Sequence, residues 1–284
     1  MRIGVVGLGQ MGLGMAGRAV AAGASVTGSD LDPARLTAAM ALGVAPAASL
    51  AAVAAPVVVL SLPEGRAVAA VLAALLPMMQ AGAIIADTST LDPIAARGFA
   101  ASCAAHGVAY LDAPVSGGPA GAAAGSLTMM LGGEATALER ARPALALLAS
   151  RIIHVGESGA GQVAKLVNNL LVATHLAVAG EALRLGERAG VSAAALLAVI
   201  NAASGRSAAT EVNFPRWILS GGFDSGFTAG LMRKDARLAL GLAEAVGAPL
   251  EACAAAVALW ERSAVADAAD FNRVAAAIYM GSPK

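Results

Sequence analysis

Apolar residues follow two regimes along this chain. In the first half, short apolar runs alternate with longer helical stretches. Residues 2–7, 24–29, 56–61, 83–87 and 109–112 each read as a strand, and 129–132 and 152–155 add two more. These runs are apolar throughout instead of alternating with polar positions, which predicts a parallel sheet covered on both faces. Helices are expected between them, one from about Gly12 to Ala22 and another opened by Pro33, where proline suits a first turn. After Gly161 no strand-like run persists, and the pattern predicts helices over 163–189, 193–203, 214–219, 228–245, 250–267 and 271–279. The expectation is an α/β, doubly wound domain over residues 1–158 followed by an all-helical domain over 159–284, with residues 156–161 as the hinge.

Composition narrows the partners. Aromatics are 3% of a chain that is 58% hydrophobic, so the core must be built from Ala, Val, Leu and Met. Nineteen basic residues balance nineteen acidic ones without a basic run, which argues against nucleic acid and anionic membrane. Cys103 and Cys253 lack a CxxC spacing and read as small buried hydrophobes in a reducing compartment. His106, His154 and His175 show no metal-ligand spacing, so no metal is expected. Glycines interrupt the N-terminal apolar stretch, unlike a secretory segment. The longest apolar run, roughly 42–62, is broken by Pro46 and Pro56 and makes a poor membrane span. A cytoplasmic protein is expected.

Against this background the candidate chemistry stands out. Gly7-Leu8-Gly9-Gln10-Met11-Gly12 follows the first strand and opens the first helix, the context in which G-x-G-x-x-G binds a dinucleotide. Gly7 permits the tight turn, Gly9 admits a pyrophosphate, and Gly12 allows close packing of the helix. Asp30 lies at the end of the second strand, eighteen residues past Gly12. There it can accept from both adenosine ribose hydroxyls and repel a 2′-phosphate, which favours NAD over NADP; its plainer role is to cap the helix at Pro33. Arg35 is the nearby cation and is expected to point elsewhere.

Three polar clusters follow. Asp112-Ala113-Pro114-Val115-Ser116-Gly117-Gly118 offers a hydroxyl and bare backbone N–H groups, either a nest for a carboxylate or a plain turn. Lys165 and Asn169 lie four residues apart, and so on one face, in an otherwise apolar helix. They supply a proton donor beside a neutral clamp, unless Lys165 merely snorkels to solvent. Lys234 and Asp235 are adjacent in another helix and read as a functional pair or an ion-paired surface.

Taken in order, these motifs resemble the β-hydroxyacid dehydrogenase family, which includes 3-hydroxyisobutyrate dehydrogenase, tartronate semialdehyde reductase and L-threonate dehydrogenase. The likeness rests on residues 7–12, 112–118, the run from Gly159 to Lys165 with Asn168 and Asn169, and Lys234 with Asp235, and it spans essentially the whole chain. It implies a Rossmann-like domain followed by a helical substrate and oligomerisation domain, as in 6-phosphogluconate dehydrogenase, in a homodimer or homotetramer. By the resemblance, Lys165 would be the catalytic acid and base. Ser116, Gly117, Gly118 and Asn169 would hold the substrate, with Arg206 as a second anion contact. Ser89, Leu62, Pro63, Lys234 and Asp235 would border the cofactor alongside Gly7, Gly9, Gln10, Met11, Gly12 and Asp30. Related imine reductases replace the lysine, so its presence speaks for alcohol and carbonyl chemistry. A lysine acting as a base must spend part of its time neutral, which burial promotes. The expected reaction is hydride transfer between NAD and the hydroxyl-bearing carbon of a short β-hydroxy acid such as 3-hydroxyisobutyrate. The alternatives are an NADP-linked reductase of glyoxylate or of a short semialdehyde (tartronate, succinic or sulfolactaldehyde type), and a non-catalytic dinucleotide-binding protein.

Overall fold

Each short apolar run becomes a strand in the computed structural model, which describes residues 1–281. The strands are β1 (Arg2–Val6), β2 (Ser25–Ser29), β3 (Ala45–Pro46), β4 (Val57–Leu60), β5 (Ile84–Asp87), β6 (Ala109–Asp112), β7 (Val115–Ser116), β8 (Leu127–Gly132) and β9 (Ala149–Gly156). Among the described residues these nine form one sheet in the order β3-β2-β1-β4-β5-β6-β8-β7, with β9 also paired to β8. From β3 to β6 every pairing is parallel.

Helices α1 (Gln10–Ala21), α2 (Pro33–Ala41), α3 (Gly65–Leu75), α4 (Pro93–Ala104), α5 (Gly118–Ala124) and α6 (Ala135–Leu145) accompany the sheet. Successive strand residues point to opposite faces, so the interior of this sheet supplies two cores. Ile3, Val5, Val57, Val59 and Ile84 join Met15 and Ala19 of α1 in one. Val6, Val58, Leu60 and Ile85 join Val68 and Leu72 of α3 in the other. That double burial is why these runs carry no polar alternation.

The expectation of a wholly parallel sheet needs correcting at the far edge. β8 runs antiparallel to β6 and β7, while β9 is parallel to β8. The link from β6 to β8 holds a two-residue strand and a helix of 7 residues, α5, and returns the chain in the opposite direction. β9 is also largely exposed, Arg151 and His154 included, so its apolar appearance overstated its burial.

The second half is helical as expected: α7 (Ala160–Arg188), α8 (Ala193–Ala202), a π-helical segment (Ala209–Ile218), α9 (Ala229–Ala245), α10 (Glu251–Arg262) and α11 (Asn272–Met280). Two boundaries differ. The helix expected at 214–219 begins at Ala209 as a wide π-turn, which accommodates Pro215 and its missing N–H. The helix expected to reach residue 267 stops at Arg262, because the buried Arg233 guanidinium binds the Trp260, Ser263 and Val265 carbonyls and the Asp267 carboxylate beyond it. α7 is long and apolar enough to cross a bilayer, yet half of its most apolar window is buried within the chain. It is a core helix, with Leu166, Ala173, Leu176 and Leu183 fully enclosed. Contacts divide the chain into two compact units between Lys165 and Leu166, inside this continuous helix.

Two carboxylates sit at the ends of adjacent strands, where Asp87 pairs in register with Asp112. Asp87 accepts from the Tyr110 hydroxyl at 2.8 Å and the Ser89 N–H at 3.0 Å. Burial outweighs these bonds and pushes its pKa up to about 6; burial raises that of Asp112 too. An acid that holds its proton more tightly when folded stabilises the fold below its unfolded pKa and loses that contribution as pH rises through the folded value. Asp87→Asn is therefore expected to gain on the natural protein by on the order of 3 kcal/mol between pH 4 and 7, measured by urea unfolding. A difference that stays flat across that interval would refute this assignment.

Candidate active site

The glycine turn after β1 is fixed by contact distances. Gly7 has φ +88°, and a methyl group there would lie 2.2 Å from the Ser61 carbonyl oxygen. A methyl on Gly12 would lie 1.8 Å from the Gly7 carbonyl oxygen. Gly9 differs, since its nearest obstacle is the Arg35 guanidinium at 3.8 Å. Gly9 is also the N-cap of α1 and has no side chain with which to cap it. The first-turn N–H groups, from Gln10 and Met11 onward, therefore precede the ladder of the helix and suit an anion. This open cradle at an uncapped helix start fits a dinucleotide pyrophosphate.

Asp30 braces the turn. Its carboxylate accepts from the Leu8 N–H at 2.7 Å and from the Asp32 N–H at 2.9 Å. Burial alone would raise its pKa, but the Asp32 and Leu8 bonds and the Arg35 charge together hold it below the usual value. Asp32 rather than Asp30 caps α2, accepting from the Ala34 N–H at 2.9 Å. The expectation for Arg35 was wrong. Its guanidinium reaches back to Asp30 at 3.4 Å and Asp32 at 3.6 Å. Side chains on a helix lean toward its N-terminus, which brings a first-turn arginine onto both carboxylates.

A second network seats the start of α7. Asp112 accepts from the Gly159 N–H at 2.7 Å and the Gln162 N–H at 3.0 Å. Gln162 donates to the Ser89 carbonyl at 2.8 Å and accepts from the Leu91 N–H at 2.9 Å. The Ser89 hydroxyl in turn receives the Leu62 N–H at 3.0 Å, with Pro63 following on an exposed turn. The segment expected to act as a hinge is thus held on the sheet. A methyl on Gly161 would lie 2.6 Å from the Asp112 carbonyl oxygen. One turn later comes Lys165, 8% exposed.

Ser116 is half-buried at the end of β7. Gly117 (φ +131°) and Gly118 (φ +65°) follow, a backbone that favours glycine and leads into α5. In the second unit, Asn169 donates from Nδ2 to Asp235 at 2.7 Å, and Lys234 Nζ lies 3.2 Å from the other Asp235 oxygen. Asn169 and Asp235 are buried, and Lys234 is partly covered. Arg206 is exposed on the turn after α8, outside these two contacts, and Asn201 donates to the Thr210 carbonyl at 3.1 Å. Gln162, Tyr110 and Asp87 had drawn no role from sequence, and Asp112 none beyond opening its motif. The available signal was an aspartate ending an apolar run in both β5 and β6.

Two family models cover the chain. The NAD binding domain of 6-phosphogluconate dehydrogenase matches residues 2–156, and the NAD-binding domain of NADP-dependent 3-hydroxyisobutyrate dehydrogenase matches 159–278. A 2-(hydroxymethyl)glutarate dehydrogenase of Eubacterium barkeri is 37% identical over 92% of this chain and 88% of its own. The chain belongs to the 3-hydroxyisobutyrate dehydrogenase family. The solved Mycobacterium tuberculosis 3-hydroxyisobutyrate dehydrogenase with L-serine superposes on this family member at TM-score 0.91, with 38% identity, over 96% of this chain and 97% of that one. An NAD-dependent L-serine dehydrogenase of Pseudomonas aeruginosa is 43% identical over 60% of this chain and 59% of its own. The family and the two-part fold expected from sequence are borne out. As a member of the 3-hydroxyisobutyrate dehydrogenase family, the chain is an NAD(P)-dependent β-hydroxyacid dehydrogenase, taking a small hydroxy acid and a dinucleotide.

Gly12→Ala is expected to displace the turn and weaken NADH binding by at least about tenfold, since overpacking typically costs about 1–3 kcal/mol. NADH fluorescence titration beside a thermal melt would check it, and unchanged affinity would show that the turn does not form the cradle.

Proposed function

We propose that this enzyme oxidises a short β-hydroxy acid of the 3-hydroxyisobutyrate kind with NAD, using Lys165 as general base and, in reverse, as general acid. The supporting observation is the burial of Lys165 in an apolar helix one turn before Asn169. Its amine would take the hydroxyl proton as the substrate carbon loses hydride, so that no alkoxide is left in an apolar setting. Bound dinucleotide would supply the hydride acceptor. Asn169 would bind the reacting oxygen without adding charge. The Ser116 hydroxyl and the Gly117 and Gly118 N–H groups would hold the carboxylate at a fixed distance from that carbon. Gly7, Gly9, Gln10, Met11 and Gly12 would carry the pyrophosphate, with Asp30 on the adenosine ribose. Leu62, Pro63, Ser89 and Lys234 would line the remaining dinucleotide, and Arg206 would offer an outer anion contact. In this reading residues 1–158 bind the cofactor, and 159–284 serve substrate and homo-oligomer formation. Exposed Val167, Leu171 and Val178 along α7 support the assembly role.

A second reading, NADP-linked reduction of a short semialdehyde or glyoxylate, is favoured by one observation. Arg35 lies against Asp30, where its charge could meet a 2′-phosphate. The Asp30 carboxylate opposes that phosphate and leads us to NAD.

Lys165→Ala should lower kcat by about 100- to 10,000-fold while NADH still binds. The assay is a panel of 3-hydroxyisobutyrate, glycerate, threonate and sulfonated analogues with each dinucleotide. A variant retaining half its turnover would remove Lys165 from the proton transfer. Asp30→Ala should weaken NAD by about tenfold or more, through loss of hydrogen bonds to a charged group, and should raise the relative use of NADP as Arg35 loses one of its two carboxylate partners. Faster turnover of NADP by the natural enzyme would overturn the cofactor assignment.

A further inference from the structure

We infer that Asp235 is a positioning residue that fixes which end of the Asn169 amide meets the substrate oxygen. This rests on the reading above that Asn169 binds that oxygen. An amide can present either a donor or an acceptor, and a half-turn exchanges them. An ionised carboxylate only accepts, so the Asn169 nitrogen must face Asp235, as it does at 2.7 Å with the two residues 5% and 2% exposed. The other end is engaged as well, because Asn169 Oδ1 receives the Asn168 Nδ2–H at 3.1 Å. An amide nitrogen carries two hydrogens and the carboxylate takes one. What the locked amide offers a ligand is therefore its second N–H, a donor.

That polarity matters for a hydroxyl with a single proton to give. If the proton goes to Lys165, the oxygen has lone pairs left and needs a donor. An amide turned the other way would present its own oxygen, compete for the proton, and then face the product carbonyl with like polarity. The donor orientation suits alcohol, alkoxide and carbonyl alike, and a preset donor need not reorganise as charge develops. The support around Asp235 is firm. Lys234 Nζ lies 3.2 Å from its second oxygen, compensating the charge without hydrogen-bond geometry. Leu166 and Leu170 of α7 share a buried cluster with Ala236 and Ala239 of α9, which holds Asn169 and Asp235 in place from both sides.

The test compares Asp235→Asn, Asn169→Ala and the double variant in the full-length enzyme at saturating dinucleotide, using the best acid from the panel. Asp235→Asn keeps the shape but lets the Asn169 amide turn. The expected result is a fall in kcat of about a hundredfold, the scale for one lost oxyanion donor. In the Asn169→Ala background the same substitution should add less than about threefold, because the two residues act as a unit. Full multiplication of the two losses, or an Asp235→Asn enzyme that keeps its kcat, would overturn the inference. A readout independent of turnover is the Asn169 side-chain amide in selectively 15N-labelled protein, assigned by its disappearance in Asn169→Ala. Its hydrogens should be protected from exchange, and protection should fall at least about tenfold in Asp235→Asn, as expected for the loss of a buried charge-assisted bond. Unchanged protection would overturn the lock. If Asn169→Ala alone keeps its kcat, the substrate role of Asn169 fails, while the exchange result still decides the lock.

Discussion

The buried Asp112 carboxylate is the interaction on which much else depends. It ends an apolar strand, where a charge is costly to bury, and it is retained because the first N–H groups of α7 converge on it. A helix start leaves donors without partners in its own ladder, and a strand end offers an acceptor in a fixed place. Joining the two fixes the first turn of α7 on the sheet. Lys165 is one turn further on, so its depth follows from a bond made by a residue 53 positions earlier in the chain. The glycines around the carboxylate are part of the same constraint. A methyl on Gly132 would lie 2.6 Å from both Asp112 oxygens.

The dinucleotide end is governed by a different balance. Asp30 braces the glycine turn, and Arg35 shares it. Two demands meet on one carboxylate: holding the Leu8 N–H and neutralising a cation. In the proposed reading, dinucleotide choice would turn on this Asp30–Arg35 pair, apart from the proton transfer assigned there to Lys165.

Sequence made the repetitive part of this architecture legible, because a strand buried on both faces shows an apolar run whatever its partner. It also exposed the glycine turn, the Ser116-Gly117-Gly118 run and the Lys165–Asn169 spacing, since each is a local pattern. Three things were hidden. The reversal at β8 depends on how a short link folds back, and composition does not encode direction. Arg35 was misread because the lean of a side chain toward its helix start outweighs simple spacing. The Asn169–Asp235 bond joins residues 66 positions apart and leaves no periodic trace. Pairing of buried polar groups is a tertiary property. A sequence shows that such groups need partners without showing which ones they find.

Burial of the central strands on both faces also bears on how they find their alignment. In a sheet with one wet face, sliding a strand by one residue would push its oily side chains into water, and that penalty enforces the match. Here either face is dry, so a slipped strand would still be greasy on both sides. Discrimination has to come from the strand tips. Asp87 and Asp112 stand opposite each other in the final rung of their ladder, the first bonded by the Tyr110 hydroxyl and the Ser89 N–H, the second by N–H groups at the start of α7. A shift by one place would part Asp87 from the Tyr110 hydroxyl on β6 and carry Asp112 away from the N–H groups of α7. The carboxylate that anchors the helix start, with its neighbour on β5, therefore acts as the vernier mark of the sheet.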